Sequence, residues 1–222
     1  MWKSLFLSCA ILAFSKVSLQ ACDLALLLAV DVSGSVDATE YDIQMQGLSA
    51  GLRDGVVVEA LIKAEAAVAV MQWTGADRQV MSVPWMRVRN GVEAEALAVA
   101  VDAAPRGWRR YSTAIGDALS RAAVEFEVGP ACRRMVLDVS GDGPSNEGSA
   151  PDAGRRQLSR MGVTVNGLVI ETEEDDLTGY YWENVITGPG AFVVTANGFE
   201  EYPKRIRQKL MREVAQQLSE LR

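Results

Sequence analysis

The chain of 222 residues predicts an α/β fold: a doubly wound, mostly parallel six-stranded sheet with helices on both faces. Three observations carry this. Residues 23–30 and 66–73 are near-continuous apolar runs of strand length, the mark of strands buried on both faces. Segments with helical spacing separate such runs. The two kinds alternate along the chain, the order of βα units. A composition of 49% hydrophobic and 23% charged residues is that of a globular protein, and no linker, repeat or charge block divides residues 22–222, which read as one domain.

The elements follow in order. After the first strand, residues 37–55 form a helix with Tyr41, Met45, Leu48 and Leu52 on one face. Asp37 stands at its N-cap and Glu40 at the capping-box position. Residues 66–73 and 79–88 are the second and third strands, and Pro84 assigns the third to a sheet edge. Helices follow over 91–104 and 112–128, the latter with Ser112 or Thr113 at its start. The fourth strand covers 133–140. A helix over 151–162 carries Pro151 in its first turn. The fifth strand is 163–170. A short helix over 179–186 leads to the sixth strand, 191–196. The closing helix, 200–218, sets Ile206, Leu210, Val214 and Leu218 on one stripe, and its polar face mixes charge signs.

The first 21 residues have a different logic. A lone Lys3, the ten-residue apolar stretch "LFLSCAILAF" and a small residue, Ala21, make a secretory signal peptide, too short to span a bilayer. Its removal takes two lysines and no acid, so the net charge of −7 becomes −9. An acidic chain without a basic stripe excludes nucleic acid as a partner and suits a cation. No other stretch is long and apolar enough to be transmembrane. The expected location is exported, periplasmic or extracellular. Cleavage leaves Cys22 and Cys132, an even pair that suggests one disulfide in an oxidising compartment. The rival reading takes "LQAC" as a lipobox with a lipid anchor at Cys22, which would orphan Cys132.

The chemistry-bearing residues gather at strand ends. In an open α/β sheet, ligands bind beyond the carboxyl ends of strands where strand order reverses. The first strand runs out into "DVSGS", with Asp31, Ser33 and Ser35. "RRYSTAIGDAL" brings Thr113 at a helix start, and "SGDG" brings Asp142 just past the fourth strand. Two carboxylates and three hydroxyls form a hard-oxygen set that suits Mg²⁺, with Mn²⁺ and Ca²⁺ also admitted. Each piece alone is a common cap or turn; three in order, each at the correct end of its element, are specific.

With these residues the chain resembles the von Willebrand factor type A (VWA) domain over nearly its whole length, from about residue 23 to 218. "DVSGS" matches that family's first metal loop, the Thr of "YSTAIGDAL" its second and the Asp of "SGDG" its third. The resemblance is to compact exported bacterial members with a single such domain. It implies a Rossmann-like sheet with a metal-ion-dependent adhesion site, in which Ser33 and Ser35 contact the metal, Thr113 does so directly or through water, and Asp31 and Asp142 act through water. An open metal position would then take an Asp or Glu carboxylate from a partner protein. The family's strand order makes the first and fourth strands neighbours, which puts Cys22 and Cys132 together at the end of the sheet opposite the metal.

Further contacts are expected from Trp108, Arg109, Arg110 and Tyr111, beside Thr113, since aromatic and Arg residues are favoured interface anchors. Glu147 either adds a ligand or belongs to a solvated loop. "GYYW", residues 179–182, reads as packing beneath a loop. The function expected is an exported metal-dependent protein-binding module and not an enzyme. The chain holds no His, hence no His-based triad or His-ligated zinc site. The alternatives are a metal-dependent hydrolase on Asp31 and Asp142, or a structural domain with a non-functional metal site.

Overall fold

A computed structural model describes residues 22–172 and 176–220, with side chains up to Val214 in the last helix. Residues 1–21, which the sequence reading takes as a signal peptide, lie outside that range. Six strands carry the fold: β1 (Leu24–Asp31), β2 (Ala67–Trp73), β3 (Gln79–Arg87), β4 (Arg134–Gly141), β5 (Thr164–Ile170) and β6 (Val193–Ala196). They pair in the order β3-β2-β1-β4-β5-β6. All neighbours are parallel except β2 and β3. The β3 edge, with Pro84 inside it, is thus the antiparallel one. Strand order reverses between β1 and β4, so the carboxyl ends of those two strands flank the switch point.

The helices are α1 (Ala38–Leu52), α2 (Gly55–Lys63), α3 (Gly91–Asp102), α4 (Ile115–Val128), α5 (Pro151–Arg160), α6 (Leu177–Asn184) and α7 (Tyr202–Glu220). Strand alternation sorts the core into two layers. Leu24, Leu26, Leu28 and Val30 of β1 join the cluster made with α1, α2, α3 and α7. Ala25, Leu27 and Ala29 join the one made with α4, α5 and α6. All eight β1 residues are buried, which is why the strand reads as an unbroken apolar run.

The helix signals explain most boundaries. Asp37 accepts the Glu40 amide at 2.8 Å while the Glu40 carboxylate accepts the Asp37 amide at 2.7 Å, a reciprocal capping box. Tyr41, Met45, Leu48 and Leu52 are all buried. In α7, Ile206, Leu210 and Val214 are buried; the Leu218 side chain lies outside the described residues. Two features differ from the sequence pattern. Residues 56–63, to which that pattern assigns no element, form α2 together with Gly55, which the pattern gives to the first helix; that helix ends at Leu52, and α2 is started by the Asp54 carboxylate on the Val56 amide at 3.0 Å. Lys209 and Glu213, apparent members of the polar face of α7, are buried (0% and 2% exposed). Lys209 Nζ lies 2.5 Å from Asp138 Oδ1 and 2.8 Å from Glu213 Oε1.

Cys22 and Cys132 are joined in a disulfide, with Cα atoms 4.5 Å apart. The bond ties the amino ends of β1 and β4, opposite the switch point. Closing a loop of 110 residues stabilises by about 4–5 kcal/mol in the chain-entropy model.

Candidate metal centre

Asp31 is the last residue of β1 and has no exposed surface. Its Oδ1 accepts the Ser33 amide at 2.7 Å, the tight local turn that Asp favours at the end of an element. Its Oδ2 is buried without a partner. The next links run outward. Ser33 Oγ lies 3.1 Å from Ser35 Oγ, and Ser35 Oγ donates to Asp142 Oδ1 at 2.8 Å. Asp31, Ser33, Ser35 and Asp142 thus form one chain of oxygen-bearing side chains from the sheet to the surface, joined at its inner end through the Ser33 amide. Thr113, Ser35 and Asp142 line one open cleft of about 240 Å³, together with Asn146 and Glu171.

Three loops are sewn together around this chain. The Gly34 amide donates to the Tyr111 carbonyl at 2.7 Å; a Cβ at Gly34 would stand 3.2 Å from that oxygen, a tight contact that favours glycine there. Helix α4 begins at Ile115, later than the pattern predicts, and neither Ser112 nor Thr113 caps it. Ser145 Oγ accepts the Ile115 amide at 3.1 Å instead. Asn146 Oδ1 accepts the Thr113 amide at 2.9 Å, and the Asn146 amide donates to the Thr113 carbonyl at 2.9 Å. Asn146 and Ser145 therefore hold the second loop from the third.

Sequence reasoning missed the cation beneath the first loop. Arg106 donates to the carbonyls of Ser33 at 3.0 Å, Val36 at 2.6 Å and Asp37 at 2.9 Å. It gathers the carbonyls of the loop between β1 and α1 without lining the cleft itself. Gln72 holds the segment that presents Arg106, taking the Gly107 amide at 2.8 Å and donating to the Pro105 carbonyl at 3.0 Å. A polar residue inside the apolar run of β2 was the one available signal; nothing local separates Arg106 from Arg109 and Arg110.

The residues expected to meet a partner spread out. Trp108 is half-buried against the core, while Arg109 and Arg110 are exposed. Tyr111 is 41% exposed with the Arg78 guanidinium 4.1 Å above its ring. Glu147 is held by the turn after β2, where its Oε2 accepts the Ala76 amide at 3.1 Å.

Electrostatics and donor set fit a divalent cation. Burial, reinforced by the Asp142 charge, pushes Asp31 up to about 8, and burial also raises Asp142. Two acids this close and this dry resist joint ionisation, and a cation between them removes that penalty. The unpartnered Asp31 Oδ2 and the three nearby hydroxyls are the hard oxygens Mg²⁺ or Mn²⁺ prefers. Among the described residues, no group of three or more His, Cys, Asp or Glu side chains comes together to hold a metal; this set rests on hydroxyls.

A family model described as "Protein of unknown function (DUF1194)" matches residues 21–218. The chain belongs to the DUF1194 family. No curated protein matches it in sequence. Among solved structures, proximal thread matrix protein 1 from the mussel byssus, with a zinc-occupied MIDAS motif, is 18% identical with a TM-score of 0.65, covering 88% of this chain and 49% of that one. The pilus adhesin SpaC from Lactobacillus rhamnosus GG is 11% identical with a TM-score of 0.66, covering 88% and 31%. A von Willebrand factor type A protein from Catenulispora acidiphila is 17% identical with a TM-score of 0.60, covering 87% and 43%. This chain spans about half or less of these proteins' lengths. The likeness shows the fold: this DUF1194 chain has the VWA-like architecture.

Proposed function

We propose that this protein is an exported, metal-ion-dependent protein-binding module of the adhesion type. The observation that carries the reading is the oxygen chain from Asp31 through Ser33 and Ser35 to Asp142, ending in the cleft that Thr113 also lines. Ser33, Ser35 and Thr113 would contact the cation, with Asp31 and Asp142 ionised around it. A divalent ion held mainly by neutral hydroxyls keeps charge to share, so when bound it supplies an electrophilic position for a carboxylate. The protein's own part is to hold these oxygens: Arg106 fixes the first loop, and Ser145 and Asn146 fix the second against the third. The partner is a protein presenting an Asp or Glu side chain. Mg²⁺ is the expected ion.

Support for this class comes from the VWA-like structural neighbours, among them a pilus adhesin and a byssus protein with a zinc-occupied MIDAS motif. Among the described residues no helix is long and apolar enough to cross a membrane. The Cys22–Cys132 bond accords with export into an oxidising compartment and with a Cys22 that carries no lipid.

The test is calorimetric titration of Mg²⁺ and of Mn²⁺ into the purified protein and into Asp31→Ala. Saturable one-site binding, lost in the variant, is the expected result. Peptides bearing a free Glu side chain, with Gln counterparts, then read the open position: binding of the Glu form in Mg²⁺ and not in EDTA. Absence of cation binding would overturn the proposal.

A further inference from the structure

The "GYYW" segment does more than pack. Tyr181, in α6, is fully buried and its hydroxyl has no hydrogen-bond partner. An unpaired hydroxyl in a dry interior is costly, and the path that brings it there is built by two glycines. Gly167 lies inside β5 and Gly141 ends β4. A Cβ at Gly167 would stand 3.0 Å from Tyr181 Cδ1. A Cβ at Gly141 would stand 2.5 Å from the Tyr181 hydroxyl and 3.0 Å from Asp31 Oδ2. Glycine weakens a strand interior and marks places where something must approach closely. Here it opens a lane across β5 and β4 that ends at the acid on β1.

The register agrees. Val30 pairs with Ser140, so Asp31 is flanked by Gly141. Ala29 and Val139 belong to the α4–α6 layer, and by alternation Asp31 and Gly141 face it too, as Tyr181 does. The hydroxyl therefore ends beside the one Asp31 oxygen without a partner. A phenol has one hydrogen to donate, an ionised carboxylate only accepts, and each carboxylate oxygen has two lone pairs.

We propose that Tyr181 is a positioning residue of the cation site: with a divalent ion bound and Asp31 ionised, the Tyr181 hydroxyl donates a hydrogen bond to Asp31 Oδ2 and fixes the carboxylate in place. One lone pair of Oδ2 is then oriented by the phenol and the other serves the cation or its water. The inference rests on the cation reading above and adds a residue outside the three metal loops.

The experiment titrates Mn²⁺ and Mg²⁺ into the wild-type protein and Tyr181→Phe, and follows thermal unfolding of both in EDTA. Loss of a partner that orients a ligating group weakens metal affinity by about 10–100-fold. The expected result is a dissociation constant raised by that factor, with an EDTA midpoint equal to or above wild type, because an unpaired buried hydroxyl is gone. Equal cation affinity in the two proteins would overturn the inference while leaving the cation site standing. A lowered EDTA midpoint in the variant would also overturn it, by assigning the hydroxyl to the bare fold. Wild-type protein that binds neither ion would overturn the cation site, and this inference with it.

Discussion

Asp31 and Asp138 are both buried acids on neighbouring parallel strands, and they are handled in opposite ways. Asp138 points into the layer of α1 and α7, where Lys209 meets it at 2.5 Å and Glu213 and Asn166 complete a buried polar cluster. Asp31 faces the other layer and has one backbone amide, only the weak pull of the Arg106 guanidinium, which is bound to the loop carbonyls and not to the carboxylate, and a second acid nearby. Burial pushes both up, Asp31 to about 8; the pull of Lys209 opposes the rise in Asp138 while Glu213 adds to it, whereas in Asp31 the Asp142 charge adds to the rise and Arg106 opposes it only weakly. An acid in a folded core normally brings its own neutralising partner. Asp138 does, and belongs to the structure. Asp31 does not, and sits at the switch point, which is the place for a ligand.

The largest effect should come from breaking the internal pair. Lys209→Met leaves two buried carboxylates without their cation and should cost about 3–5 kcal/mol, read as a lower denaturation midpoint with and without Mg²⁺ alike. The same logic predicts the reverse at Asp31. In EDTA, Asp31→Asn removes a buried charge that has no ion-pair partner and should gain about 1–3 kcal/mol at alkaline pH.

The pH dependence sharpens this. Asp31 binds its proton more tightly folded than unfolded, so its contribution to stability is full at acid pH and declines as pH rises towards about 8. The stability gap between Asp31→Asn and wild type in EDTA should open between about pH 4 and pH 8 and then level. Stabilisation by added cation should run the other way and grow with pH, because the ligand must be ionised. A smaller effect is expected at the loops: Ser145→Ala removes the acceptor for the Ile115 amide and should cost about 1 kcal/mol in EDTA, and at least as much in Mg²⁺ because it also loosens the loop that carries Thr113.

The fold was largely legible because its signals are local. Apolar runs gave the strands, the Asp37–Glu40 box the start of α1, and Pro84 the edge. Helix α2 escaped because "GVVVEALIK" is rich in β-branched residues that propensity does not assign to a helix. The metal loops stood out since their spacing is short-range. Arg106 and Tyr181 did not, because what defines them is a partner distant in sequence: loop carbonyls about 70 residues back for Arg106, and the glycines of two strands for Tyr181. Lys209 and Glu213 read as solvent-facing because charge in a helix is usually exposed; the acid in the middle of "RRMVLDVS" was the only hint that α7 had to supply a cation inward.

The most direct test is thermal unfolding of wild type and Asp31→Asn, each in EDTA and in Mg²⁺ at about 100 times its dissociation constant. Ligand at that excess stabilises by about 2.7 kcal/mol, or about 5–10 °C for a chain of this size. The expected result is a crossing: in EDTA the variant melts higher, and in Mg²⁺ the wild type does. A wild type indifferent to Mg²⁺, or a variant that melts lower in both media, would contradict the claim that Asp31 is an acid left open for a cation.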